Sequence, residues 1–518
     1  MRAGLIGVSL LVLAGAWLND SVAAGQEKLK SPIEYYHQGT ALLSQGEAAA
    51  AIAPLKRAID LQRDFAAAHL ALGLALQQLR KPDLAVESLR KAAQFQPRWA
   101  DAHYYLGFAL AQQELFTEAI GEFRQAIKLK PNYGLAYFHL GVAYRLNQET
   151  KEAAAALKEA VRLLPDQAQA HYRFGLVLEE YGRSIEAVEE LEKAAKIDPQ
   201  SPDILHHLGL ALQRGGLVPE AATRFRAALN LKPDFLEARS NLGLALIQLG
   251  KGDEAIRQFQ ILIDQDPENA GTHHNLGLAL LQKADLDGSI AAFQRAIRLN
   301  PRYAEAHYNL GVALKQKDRF IDAIAELNKA IELKPTLADA YFTLGVTLWQ
   351  TGKPQAAISK FRRVTAMQPD YAKAYYMLGI ILRKQGQLDD AIIEFRKSLR
   401  INPEYAEVYN SLARALREKG DMDGAKKAIK KARRLNQITA NLQAATFSTD
   451  VGIKRLEQGD LEQAIQQFKN AIKVAPGYAP AYYQLGIALR KKGEAQAARK
   501  AFKKAKDLNP RLAPPQRF

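Results

Sequence analysis

The chain has 518 residues, no cysteine, a hydrophobic fraction of 48% and a formal net charge of +16. These values exclude a disulfide frame, a thiolate nucleophile and a cysteine-based metal site, and they exclude disorder over most of the length. The basic balance favours acidic proteins or anionic surfaces as partners and leaves the fold open.

Arg2 gives a short basic start, and Leu5 to Leu18 is an apolar stretch broken only by Gly and Ser. Ser21-Val22-Ala23-Ala24-Gly25 then supplies small residues at cleavage positions. This is the order of a secretory signal peptide, expected over residues 1–24 with a linker at 25–31. An apolar stretch of roughly fourteen residues falls short of the ~20 that span a bilayer, and an uncleaved tether is the alternative. The mature chain is expected outside the cytoplasm, periplasmic or secreted.

Beyond residue 31 the chain is periodic. Pro97, Pro131, Pro165, Pro199, Pro233, Pro267, Pro301, Pro335, Pro369 and Pro403 stand 34 residues apart, and after one slip Pro476 and Pro510 resume the spacing. A period of this length marks a repeat array, whose core grows along a line. From Ala100 to Tyr133, counted as slots 1 to 34, the apolar residues fall at helical spacing in two halves. Leu106-Gly107 lies in the first half, Ala119, Phe123 and Ala126 in the second, and Pro131 ends the second. Gly107 and Ala119 are small where two antiparallel helices must meet, and Phe123 fills the space behind them. Proline lacks an N–H and disfavours helix in the residue before it.

This pattern resembles the tetratricopeptide repeat family, whose signature places an aromatic, Leu-Gly, Ala, Phe, Ala and Pro at fixed offsets. The resemblance implies an all-α fold, a right-handed α-solenoid superhelix of antiparallel helix-turn-helix repeats with first helices lining a concave groove. About fourteen repeats are read: about twelve contiguous over 32–439, an inserted hinge at 440–444, two more over 445–512, and a tail at 513–518. The first repeat departs from the pattern with Gln38, Arg63 and an internal Pro54, and is expected to be a frayed cap. The twelfth has Ala413 for Gly and Gln437 for Pro, and residues 437–449 lack a helical pattern, hence the expected hinge or register break.

Candidate chemistry is sparse. All ten histidines fall in first helices, where His69, His103, His171, His273 and His307 share the slot that holds Tyr137, Tyr341, Tyr375 and Tyr482 elsewhere. A half-buried ring in an aromatic slot accounts for them. Adjacent helical residues such as His206-His207 point about 100° apart, and no HExxH spacing exists, so no metal site is expected. No phosphate loop, GxSxG elbow or Cys/His dyad occurs, and the repeats leave no room for a catalytic domain. Neither enzymatic activity nor a cofactor is expected.

Function is therefore sought on the groove face. Slot 5 is mostly aromatic (Tyr104, Phe138, Tyr172, Tyr308, Tyr376), and slot 6 is polar (His139, His207, Asn241, Asn275, Asn309). Slot 13 carries Gln248, Gln282, Gln316 and Gln350, and slot 2 is often acidic. Carboxamides can pair with successive peptide groups, and tyrosines supply contact area with a polar tip. The Asn-Leu-Gly runs at Asn241, Asn275 and Asn309 are similar to the asparagine ladder of O-linked N-acetylglucosamine transferase, which implies recognition of extended peptide; the catalytic domain of that family is absent. Solvated helix residues, or bonds between neighbouring repeats, are the alternative reading. Aromatics at slot 5 and Leu or Val at slot 9 depart from the family's carboxylate clamp.

Basic residues concentrate late, at Lys426-Lys427, Lys430-Lys431, Arg433-Arg434 and from Arg490 to Lys506. They either solvate terminal helices or meet an anionic glycan or lipid surface; the export signal and the lack of an RNA-reading motif speak against nucleic acid. The leading expectation is an exported, non-enzymatic scaffold holding a peptide or protein in its groove, in a bacterial envelope complex. An adaptor of polysaccharide machinery or membrane surface is the second reading, and the repeat part of a glycosyltransferase-like enzyme the third.

Overall fold

The computed structural model of the chain describes residues 30–510 and 512. The expected signal peptide, most of the linker and the tail lie outside the described residues. Among the described residues there are 27 α-helices and no strand. The chain divides into two compact bodies at Pro267/Glu268. Within each, first and second helices alternate, and a second helix packs on its own first helix and on the first helix of the next repeat. This is the all-helical solenoid order that the proline spacing predicts.

The repeat from Ala100 shows why the sequence folds this way. Its first helix is Ala100–Gln112 and its second is Phe116–Leu129. Lys130, just before Pro131, leaves the helical region at φ −136°, ψ 87°, as a residue preceding proline must. Ala119, Phe123 and Ala126 are wholly buried. Gly107 is glycine because a Cβ there would stand 3.0 Å from the Phe123 ring; at Gly243 it would stand 2.5 Å from Phe259. The helix pair is thus keyed by a large ring pressed against a residue with no side chain.

A second periodic feature sits in the turn between paired helices. Slot 15 has a left-handed backbone in every repeat, as glycine at positions such as Gly250 (φ 72°) and Gly352 (φ 74°). Arg80, Glu114, Gln148, Ala284 and Asp318 take the same conformation without being glycine. There the chain turns from the first helix into the second; Gly250 N–H donates to the Ile247 carbonyl at 3.0 Å and Lys251 N–H to the Leu246 carbonyl at 2.9 Å.

Two expectations are corrected. The first repeat is not frayed: Pro32–Ser44 begins with a capping box between Ser31 and Glu34, and Ala48–Leu61 runs through the buried Pro54. Nor do residues 437–449 break the chain. They lie inside one helix of 36 residues, Met422–Glu457, which fuses the second helix of the twelfth repeat to the first helix of the thirteenth. We call it the junction helix. Gln437 stands where a proline would have ended it, and Thr439, Thr446 and Thr449 donate their hydroxyls to carbonyls four residues back, so the polar residues are accommodated within the helix.

Candidate binding face

A first helix has four slots, 2, 6, 9 and 13, that fall on one stripe at steps of four, three and four residues. Slots 5 and 12 lie beside that stripe, and the structure uses them to join one repeat to the next. In the first body Tyr104 is 3% exposed, its ring 4.9 Å from that of Tyr133 and 5.8 Å from that of His139. Phe138 and Tyr172 are also buried, and the Tyr172 hydroxyl lies 3.1 Å from His207 Nδ1, which also faces the Asp203 carbonyl at 2.9 Å. Burial and neighbouring Tyr105 and Asp101 push the Tyr104 phenol well above its ordinary range.

The asparagines take part in the same seam. Asn241 Nδ2 donates to His206 Nε2 at 2.9 Å, and Asn309 Nδ2 donates to His274 Nε2 at 2.9 Å. Asn275 Oδ1 lies 3.3 Å from His274 Nδ1. Slot 5 of one repeat thus meets slot 6 of the next, 35 residues on. The expected asparagine ladder is corrected on this point: the amide nitrogens of Asn241 and Asn309 are spent on neighbouring repeats rather than held out for peptide. Tyr308 and Tyr376 remain half-buried in the second body, and the Tyr376 hydroxyl is 3.4 Å from Ser411 Oγ.

Slots 12 and 13 form a parallel seam. Arg145 pairs with Glu180 at 2.6 Å, Arg214 with Glu179 at 2.8 Å, Gln213 Nε2 donates to Gln248 Oε1 at 3.2 Å, and Arg383 pairs with Glu418 at 2.5 Å. Gln248, Gln282, Gln316 and Gln350 are exposed, as the sequence suggested. Some slot-2 acids are tied down: the Tyr133 hydroxyl donates to Asp101 at 2.7 Å, the Tyr371 hydroxyl to Asp339 at 2.9 Å, and Lys334 holds Glu305 at 2.7 Å.

What the sequence reading missed lies between the two seams. Slot 9 is Leu74, Phe108, Val142, Leu176, Leu210 and Leu244 in the first body, and Leu278, Val312, Val346 and Ile380 in the second. Each is half-buried, so a mainly aliphatic strip runs from Leu74 to Leu244 in the first body and from Leu278 to Ile380 in the second, where the exposed Arg414 ends it, walled by polar side chains. The signal in the sequence is the apolar residue recurring at slot 9, whose meaning extends beyond its mismatch with a carboxylate clamp.

The histidines have structural roles more specific than filling a slot. Nε2 of His103, His171 and His307 lies 3.1, 2.9 and 3.2 Å from the carbonyls of Pro97, Pro165 and Pro301, and each Nδ1 lies 2.6 Å from Glu122, Glu190 or Glu326. The ring clamps the proline turn to the second helix. The Glu122 hydrogen bond raises His103 above its ordinary pKa against the opposing pull of burial. Burial pushes His139 and His206 down to about 4 and also lowers His274, so these rings are neutral seam members. His206 Nδ1 is buried with no partner among the described residues. A shallow depression around His171 and Glu190, lined mainly by second-helix residues, has most of its charges matched internally by Arg162–Glu159, Arg183–Glu186 and Lys193–Glu190 pairs.

Comparison with known proteins agrees with this architecture. A tetratricopeptide repeat profile matches residues 70–134, 106–168, 207–270, 274–338 and 342–406. A TPR repeat profile matches 39–79, 181–216 and 454–493, and two further tetratricopeptide profiles match 383–446 and 479–512. None of the curated proteins compared with the chain matches it. Among solved structures, MamA is 33% identical, covering 32% of this chain and 96% of its own at a TM-score of 0.31. A tetratricopeptide repeat protein from Parabacteroides merdae is 18% identical, covering 48% of this chain and 98% of its own at a TM-score of 0.42. YrrB, described as a TPR protein with an unusual peptide-binding site, is 22% identical over 34% of this chain and 91% of its own, at a TM-score of 0.31. With repeat profiles matching well over half of its length, the chain belongs to the tetratricopeptide repeat family, whose arrays are scaffolds for protein–protein interaction.

Proposed function

We propose that this protein is a non-enzymatic scaffold that works outside the cytoplasm and holds a peptide or protein partner on the open face of its first helices. The observation that carries the reading is the half-buried aliphatic strip at slot 9, from Leu74 to Leu244 in the first body. A strip of partly wet Leu and Val beside exposed glutamines gives an apolar segment something to cover and its backbone something to bond, which is the composition of a recognition surface. The bound chain is expected to pair with Gln248 or Gln316 and to lay its apolar side chains on the strip; Tyr308 and Tyr376 contribute partial ring surface. Tyr104, Phe138, His139 and Tyr172 act here as supports that fix the spacing of the face.

Selection of a displayed-peptide library against the full chain tests this. Peptides with spaced apolar residues should emerge, and Leu176→Asn with Leu210→Asn should weaken them about tenfold or more without loss of helicity. Selected peptides indifferent to both substitutions would overturn the assignment. The export part rests on the Arg2, Leu5 to Leu18 and Ala23-Ala24 pattern. It is tested by sequencing the N-terminus of protein expressed with its own leader, which should begin at Ala24 or Gly25.

A further inference from the structure

We infer that the junction helix carries a second docking site, separate from the aliphatic strip, for an acidic amphipathic helix of a partner protein. The starting point is slot 3 of the first helices. In the first body this slot is Ala68, Ala102, Ala136, Ala170, Ile204 and Ala238, all with no exposure, because it presses on the preceding second helix. In the first repeat, before which no second helix lies among the described residues, the slot holds the exposed Glu34. In the thirteenth repeat the slot is Phe447, and it is 70% exposed. Fusion into one helix is the cause. The second helix of the twelfth repeat, which should cover Phe447, instead runs on into the first helix of the thirteenth, and two consecutive parts of one continuous helix cannot pack on each other.

The face around Phe447 is continuous and patterned. Arg433, Gln437, Ala440, Ala444, Phe447 and Val451 follow one another in alternating steps of four and three residues, the spacing that presents one seam to a partner helix. All are exposed except the half-buried Val451. The C-terminal part of this seam is apolar. Its N-terminal part is basic, with Lys426, Lys427, Lys430, Lys431, Arg433 and Arg434 exposed, and none of the six is in an ion pair among the described residues. From Gly424 to Thr449 the helix contains no carboxylate at all.

Charge selects the occupant. The end of the twelfth repeat is closed by Arg433 at the slot that holds Ile127, Ile297 or Leu399 in inner repeats, just as Lys506 closes the last repeat. A second copy of this chain would bring a matching run of cations against the first, and the like charges would repel. A helix whose one side is apolar and whose flanks are Glu or Asp meets both halves of the seam. It would run along about 35 Å of the junction helix, at 1.5 Å per residue.

The test uses the full chain and a designed helical peptide, labelled for fluorescence anisotropy. The peptide has Leu at alternating steps of three and four with Glu at the flanking positions; a second peptide has Lys in place of Glu. The Glu peptide should bind and the Lys peptide should not. Phe447→Glu should weaken binding about tenfold or more, and the combined Lys430→Gln, Arg433→Gln, Arg434→Gln variant should weaken it and flatten its salt dependence. Leu176→Asn with Leu210→Asn should leave this binding unchanged, which separates it from the site proposed above. Circular dichroism checks that the variants keep their helices. Equal binding of both peptides, or binding indifferent to Phe447→Glu, would overturn the proposal. So would a dimer in solution that Phe447→Glu dissociates, or binding to vesicles of anionic phospholipid, but not to the Glu peptide, that Phe447→Glu abolishes.

Discussion

The repeat from Ala338 and the junction around Gln437 are built from the same template and differ at a few slots. In the first, Gly345 meets the wholly buried Phe361, and Pro369 ends the second helix. In the second, Ala413 stands for the glycine, Ile429 for the ring, and Gln437 for the proline. The first two changes belong together. A methyl at position 413 occupies the space that a ring would need, and the smaller Ile429 leaves room for it; the two sit in one cluster with Ile429 partly wet. The third change lets the helix continue. Loss of a ring weakens the local pair, loss of a proline removes the stop, and the outcome is an exposed seam where an inner repeat would have a covered one.

The largest expected effect separates the two pairs energetically. Phe361→Ala should cost about 3–5 kcal/mol locally, whereas Ile429→Ala should cost about 2 kcal/mol or less because its surface is already part wet. Hydrogen exchange on the flanking helices resolves this, since a long array opens locally rather than in one transition. Equal losses at the two positions would mean that the junction pair is as tightly keyed as an inner one.

Restoring the proline is the next test. Gln437→Pro removes an N–H that serves the Arg433 carbonyl and adds a ring clash, at about 3 kcal/mol or more for a helix interior. Limited proteolysis should then cut between residues 436 and 444, which the parent chain protects, while the inner repeats stay intact. Unchanged protection would show that the helix already yields at this point. The inner repeats tolerate the same residue at the same slot because Gln368 and its equivalents have already left the helix.

The seams should also differ in their response to acid. His139 is 6% exposed and burial lowers it to about 4, against an unfolded value of about 6.5. Between those values the unfolded chain binds more protons, so stability contributed by keeping His139 neutral is complete above pH 6.5 and is lost as pH falls towards 4. The loss is on the order of 3 kcal/mol. His103 works in the other direction: its raised value makes its contribution present below pH 6.5 and lost as pH rises through the folded value. The junction has Ser411 and Asp450 at the slot of His139 and no histidine. Acid should therefore open the repeats around His139 before the junction, and His139→Phe should remove that dependence. Opening at equal pH in both places would sink the assignment.

The fold was legible because its determinants are local and recur: the proline stop, the Gly–Phe contact and the helical spacing each show in the sequence. The roles of individual face residues were less so. Whether Asn241 points at a ligand or at His206 depends on how far one repeat is displaced against the next, and no single repeat encodes that displacement. The slot-5 aromatics were misread for the same reason, since Tyr104 is covered in part by Tyr133 and His139, which lie off its own helix. The junction was misread because a run rich in Thr, Asn and Ser has weak helix propensity, and the helices it joins outweighed that preference.

The smallest effect concerns slot 15, the left-handed turn that the two kinds of repeat share. Gly420 serves the twelfth repeat at φ 91° and Gly459 the thirteenth at φ 82°, so the turn survives even where the proline does not. Ala284 adopts φ 60° with a Cβ, at a cost of about 1 kcal/mol that glycine would avoid. Ala284→Gly should therefore stabilise its repeat, but by somewhat less than that cost, because glycine also gains freedom in the unfolded chain. The converse change, Gly420→Ala, should destabilise by about 1 kcal/mol through the backbone alone, since nothing lies within 4 Å of the Cβ it would add. Paired hydrogen-exchange measurements on the two variants isolate backbone conformation from packing. If Gly420→Ala left its repeat unaffected, the left-handed turn would have to be a consequence of the helix pairing rather than one of its determinants.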